Sequence, residues 1–111
     1  MAQLALNNFK TVTVGIVTTV QTVYTAPTGY TSVVLYAHIT NVADTSSAFT
    51  MYHKRGNTST EVIKNRDVPP SDAFSPLDGK LVLETSDQIT ISGSENDKLK
   101  LIISLLETSN A

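Results

Sequence analysis

The chain has 111 residues, 41% of them hydrophobic and 16% charged, a size suited to one domain around one core. Eight Lys and Arg against ten Asp and Glu give a formal net charge of −2, so neither nucleic acid nor an acidic membrane surface is an expected partner. The absence of cysteine excludes disulfide staples, thiolate metal sites and thiol nucleophiles, which leaves packing or assembly as the source of stability. No apolar run approaches the roughly 20 residues that span a bilayer. The first nine residues lack a basic region followed by a long apolar stretch, so neither a signal peptide nor a membrane anchor is expected.

Sixteen Thr and eleven Ser are interleaved with Val, Ile and Tyr, a composition that favours strands because branched side chains fit a pleated surface. Residues 1–8 precede the first alternating run and contain Leu4 and Leu6, which defines an N-terminal arm ahead of a domain over 9–111. An arm of this kind either frays or docks on something apolar, such as a neighbouring chain. Alternation then predicts strands over 10–16 and 20–25, followed by the turn Ala26-Pro27-Thr28-Gly29, where Pro presets φ and Gly accepts a positive one. Over 31–41 one parity carries Val33, Leu35, Ala37 and Ile39, and the other Ser32, Val34, Tyr36, His38 and Thr40. The first set is expected in the core. Val34, Tyr36 and His38 are expected on a weakly charged outer face, which is either a candidate contact surface or covered by a loop or the second sheet, while Leu4, Leu6 and Phe9 are the candidate interface residues that anchor the arm.

Further strands are predicted over 48–54 and 60–67, with a polar loop at 55–59 between them. Lys54, Arg55, Lys64 and Arg66 fall on this hairpin as a modest basic patch, suited to an acidic partner or to blocking unwanted strand pairing. Val68-Pro69-Pro70-Ser71 excludes helix and central strand, and marks a crossing between sheets. Asp78-Gly79 reads as a tight turn, and strands follow over 80–84, 88–92 and 99–106. The last is the clearest, with Leu99, Leu101, Ile103 and Leu105 on one parity. About eight short strands and no capped helical stripe predict an all-β fold, a single antiparallel β-sandwich of jelly-roll or Greek-key type.

Chemistry-bearing patterns are sparse. His38 and His53 have no third His or Cys with which to form a catalytic zinc set, and a structural or interface role suits both. No Gly-x-Ser-x-Gly elbow is present. The acidic residues Asp67, Asp72, Asp78, Glu84 and Asp87 sit at turns and lack calcium-loop spacing. No glycine-rich phosphate loop occurs. Asn57-Thr58-Ser59 matches a glycosylation acceptor within a turn. No enzyme, cofactor or metal is therefore expected.

Several segments in order carry a resemblance: Phe9-Lys-Thr-Val-Thr-Val14; Val23-Tyr-Thr-Ala-Pro-Thr-Gly-Tyr30 leading into Val33-Val-Leu-Tyr-Ala-His-Ile-Thr-Asn41; Val68-Pro-Pro-Ser-Asp-Ala73; Gly79-Lys-Leu-Val-Leu-Glu84; and the closing Leu99-Lys-Leu-Ile-Ile-Ser-Leu-Leu-Glu107. Their order resembles that of small β-sandwich virion proteins of tailed phages, particularly those of marine bacteria and cyanobacteria, and spans nearly the whole chain after residue 8. Lys80 interrupts the family's Gly-Leu pair, and Pro70 doubles its single proline. The resemblance implies a structural virion component, assembled in the host bacterial cytoplasm, with the phage major capsid protein or tail proteins as partners and no catalytic residues. Capsid decoration or cementing by a homo-oligomer is the first expectation, a trimer because decoration sits at local threefold positions. A tail, collar or baseplate accessory of the same fold is the alternative. A carbohydrate- or receptor-binding sandwich, stacking sugars on Tyr24, Tyr30, Tyr36 or Tyr52, is another.

Overall fold

The computed structural model describes residues 7–77 and 79–110. Those residues form nine strands and no helix: β1 (Asn7–Gly15), β2 (Gln21–Thr25), β3 (Tyr30–Asn41), β4 (Ser47–Arg55), β5 (Thr58–Val68), β6 (Ala73–Phe74), β7 (Leu81–Leu83), β8 (Gln88–Gly93) and β9 (Leu99–Ser109). Leu4, Leu6 and Asp78 lie outside the described residues, while Asn7 and Asn8, expected in the arm, already belong to β1.

Two antiparallel sheets pack face to face. The first has the order β1-β9-β3-β6, with β7 also pairing with β3, and the second the order β2-β8-β4-β5. β6 and β7 lie along the same edge of β3, opposite Ile39–Thr40 and Ser32–Val34, so they act as two halves of one interrupted strand. Counted this way the molecule is an eight-strand jelly roll. The predicted turns do the crossing. After β2 the amide of Tyr30 donates to the Pro27 carbonyl at 3.1 Å and Gly29 takes φ +82°, carrying the chain from the second sheet to the first. After β5 the Pro69-Pro70 pair carries it back to the first sheet, and the Asp72 amide closes on the Pro69 carbonyl at 3.2 Å.

The core lies between the sheets. β9 runs centrally, hydrogen-bonded to β1 on one side and β3 on the other, so its inward parity is shielded from both flanks. Leu99, Leu101, Ile103 and Leu105 are each at most 1% exposed, worth about 1.5–3 kcal/mol apiece relative to exposure. Ile39, Phe49, Met51, Ile89 and Ile91 are among the residues that pack against them.

One sequence expectation fails in β3. Val34, placed on the outer face, is fully buried, and Leu35, placed in the core, is 40% exposed. The cause is a β-bulge between Val34 and Tyr36 in the pairing with β9. An extra residue there inverts the parity of everything before it. Ala37 and Ile39, beyond the bulge, face the core as expected. β6 was not expected because two residues are too few to show a period.

Candidate interaction surface

In an antiparallel ladder, directly paired residues share a face, so the pairing defines the outer side of the first sheet. Phe9 lies opposite Leu106, Leu106 opposite Val33, and Val33 opposite Val82. Four strands thus contribute one apolar row, of which Phe9 is 72% and Val82 52% exposed. The next pairs along are Thr11 with Ser104 and Ser104 with Tyr36, then Thr13 with Ile102 and Ile102 with His38. The Tyr36 and His38 rings stack, with centroids 5.7 Å apart and planes 11° apart. Lys100 is the sole Lys, Arg, Asp or Glu among the paired outward residues, facing Gly15 on one side and Thr40 on the other. Of the expected interface, Phe9, Tyr36 and His38 therefore meet on one face. Val34 leaves it for the core.

Behind this face, the polar side chains of β1 are anchored. Glu107, 3% exposed, accepts hydrogen bonds from the Tyr24 hydroxyl and from Asn8 Nδ2 at 3.2 Å. Its carboxylate lies 3.5 Å from Lys10 Nζ. Tyr24 also pairs with Ser32 Oγ at 2.8 Å, so the cluster ties β2 of the second sheet to β1, β3 and β9 of the first. Burial alone would raise the Glu107 carboxyl, but the bonds from Tyr24 and Asn8 and the Lys10 charge outweigh it and hold the group below its ordinary value. The Tyr24 phenol is pushed up to about 12, by burial and by its bond to Glu107.

The expected basic patch does not form as one unit. Arg55 pairs across from Thr58 and Arg66 across from Phe49, six residues apart along β4 and so about 20 Å. Arg66 sits over the Phe74 ring at 4.2 Å from its centroid, a cation–π contact joining β5 to β6. Arg55 turns to the β7–β8 connection, donating to Asp87 from Nε at 2.9 Å and Nη2 at 2.7 Å, and to Glu84 at 2.8 Å. Asp87, 1% exposed, also meets His53 Nε2 at 3.1 Å and accepts from the Glu84 amide at 2.9 Å. The Arg55 bonds hold its carboxyl far below the usual carboxylate range. Asp87 and Glu84 do bracket a turn, as their spacing predicts. That Asp87 is buried, and that it gathers the hairpin tip, had no signal in the sequence. Lys54 and Lys64 remain on the hairpin between the two arginines, Lys64 exposed and Lys54 half-buried.

The tyrosines are dispersed as well: Tyr24 lies in the interior, Tyr36 on the first sheet and Tyr52 on the second, paired across from Glu61 and Thr90. Among the described residues no group of three His, Asp or Glu is placed to hold a metal ion, and no helix is long and apolar enough to cross a membrane.

The jelly roll with one weakly charged outer face can be set beside known proteins. No protein-family model and no curated protein matches the sequence. Among solved structures, the chain is similar to one from Bacillus endospore appendages, described as a family of disulfide-linked pili. The TM-score is 0.58 at 11% identity, over 96% of this chain and 89% of that one. It is likewise similar to part of a chain of the T13 particle of IBDV, an icosahedral virus, with TM-score 0.58 at 12% identity over 93% of this chain and 31% of that one. The chain thus spans about a third of that viral chain and most of the pilus chain. At these identities the likeness is one of fold.

Proposed function

We propose that the protein is a non-enzymatic structural subunit of a tailed-phage particle, which works by packing against copies of itself and against a capsid or tail protein. The observation that carries this reading is the outer face of the first sheet, where the Phe9–Leu106–Val33–Val82 row and the Tyr36–His38 stack lie among hydroxyl side chains with a single charged residue. A face of this composition loses little by desolvation and gains by being covered. The jelly roll is also a fold found in a viral particle and in a pilus, both built from repeated chains, which supports the reading by analogy. Within it, decoration or cementing of the capsid by a homo-oligomer comes before a tail, collar or baseplate role.

The test is quantitative mass spectrometry of purified particles from the phage that encodes the sequence, combined with antibody labelling under the electron microscope. Hundreds of copies on heads support decoration, and a few to tens on tails support the accessory role. Absence of the chain from purified particles overturns the proposal.

A further inference from the structure

A sandwich has four sheet edges, and three of them here are closed to further pairing. β2 is five residues long with a bulge between Thr22 and Tyr24. β6 and β7 are two and three residues long. β5 is long but irregular. Its pairing with β4 shifts register twice and Asn65 takes φ +50°. The strand carries Glu61, Lys64, Arg66 and Asp67, and ends at Pro69-Pro70. Short strands, bulges, charge and proline are the devices that prevent one edge from pairing with another.

β1 has neither bulge nor proline, is nine residues long, and carries a single charge. It pairs with β9 over nine consecutive residues without a shift, contains no proline, and among the described residues pairs with no other strand. That charge, Lys10, sits half-exposed on the inner parity with Glu107 at 3.5 Å as its partner, and a second strand along the edge leaves that pair in place.

Gly15 supplies a second, independent observation. Glycine weakens a strand, and nothing within the protomer requires it here. Its φ lies outside the left-handed region, and a Cβ would meet only Asp97 Oδ1 at 4.0 Å. Gly15 borders a surface hollow that runs across β1, β9 and β3, between Thr13 and Val14 on one side, Lys100, Leu101 and Ile102 in the middle, and Thr40 on the other. At the other end of the same strand and on the same face, Phe9 projects as a 72% exposed knob.

We propose that β1 pairs antiparallel with β1 of a second copy about a two-fold axis at Val12, so that each Phe9 ring covers the partner's Gly15. In that register Phe9 faces Gly15, Lys10 faces Val14, Thr11 faces Thr13 and Val12 faces Val12, with no like charges opposed and with Thr–Thr pairs of a favoured kind. An aromatic over a cross-strand glycine fills the gap that glycine leaves, and Lys100 beside the hollow meets the ring face. The open edge matches itself and not the three closed ones, which is the condition for an isologous contact. The contact is independent of the virion reading and is measured on the isolated protein.

The experiment uses the full chain, which has no native cysteine. Native mass spectrometry is expected to show a dimer for the wild type. Gly15→Val fills the hollow with a good strand former and is expected to give monomer with an unchanged or higher melting temperature, and Phe9→Ala a dimer weakened at least tenfold. Under mild oxidation, a mixture of Thr11→Cys and Thr13→Cys chains is expected to give disulfide-linked heterodimer in severalfold excess over either homodimer. Thr60→Cys on β5 is expected to give none. A wild type that stays monomeric, a dimer that survives Gly15→Val, or cross-linking without heterodimer excess overturns the proposal.

Discussion

Asp87 is the buried group whose removal tests most directly how the end of the sandwich is held. Its carboxylate accepts four hydrogen bonds, two from Arg55, one from His53 and one from the Glu84 amide. Asp87→Asn keeps the volume and the turn bond but replaces one acceptor oxygen with a donor facing other donors. A hydrogen bond to a charged group contributes about 1.5–3 kcal/mol. Arg55 is 57% exposed and recovers hydration when released, so the expected loss is near the low end, about 2 kcal/mol for Asp87→Asn. Arg55→Ala removes the exposed partner and is expected to cost less than Asp87→Asn. The sign of the pH dependence follows from the depressed carboxyl. The stabilisation is complete above the unfolded-state pKa of about 3.9 and is lost as pH falls from there toward the folded value. Urea unfolding at pH 7 and pH 3 should therefore show the gap between wild type and Asp87→Asn narrowing by about 1 kcal/mol at the lower pH. A gap below about 0.5 kcal/mol at pH 7, or one equal at both pH values, would refute the view of Asp87 as an ionised structural anchor.

Three other substitutions probe separate parts of the fold. Gly93→Ala places a Cβ 2.8 Å from the Cγ2 of Ile16, a buried branched side chain that cannot swing aside, and should cost about 1–3 kcal/mol by denaturant titration. Thr90 Oγ1 is buried with no hydrogen-bond partner among the described residues, so Thr90→Val should leave stability unchanged or raise it by up to about 1 kcal/mol, read as a shift in urea midpoint at constant slope. Tyr24→Phe removes a donor from the buried Glu107 carboxylate and should cost about 1–3 kcal/mol at pH 7. Because that carboxyl is held below its ordinary value, the cost should shrink as pH falls through the acid range, and a cost that grew toward low pH would contradict the assignment.

The strands of this protein were readable wherever burial was one-sided and continuous. β9 shows it best: being central, it keeps strict alternation from Leu99 to Leu105, and both the strand and its buried face follow from the period alone. β3 has an equally clear period, yet that period puts Val34 and Leu35 on the wrong faces. A bulge leaves no mark on composition, and it reverses every earlier side chain. The proline pair after β5 was legible as a crossing because two missing amide donors exclude a ladder position whatever the tertiary context. The polar clusters were not legible. Tyr24 and Glu107 are 83 residues apart, and His53 and Asp87 are 34 apart, so no local spacing announces them. Phe9, expected to anchor the arm, instead lies in β1 on the same outer face as Tyr36 and His38. The four basic residues were grouped by their closeness in one hairpin, which the length of its strands pulls apart.

The two buried carboxylates and the exposed face belong to one arrangement. Glu107 takes hold of β1 from the inside through Asn8 and Lys10, and of β2 through Tyr24, so the strand that forms the edge of the first sheet is fixed to both layers by polar contacts. Edge strands commonly fray because only one side of their backbone is hydrogen-bonded. Here the inner parity of β1 adds Val12 and Val14 packed against the core, while the outer parity carries Phe9, Thr11, Thr13 and Gly15, none of them required by the protomer's own packing. An edge held rigid on one side and left uncommitted on the other loses little further conformational entropy when a second chain arrives, which is the condition under which a small contact area binds. Asp87 does the same at the hairpin tip of the second sheet, where it ties Arg55 down. The two buried carboxylates of this jelly roll therefore hold the β1 edge and the β4–β5 hairpin tip in fixed positions around a largely apolar core.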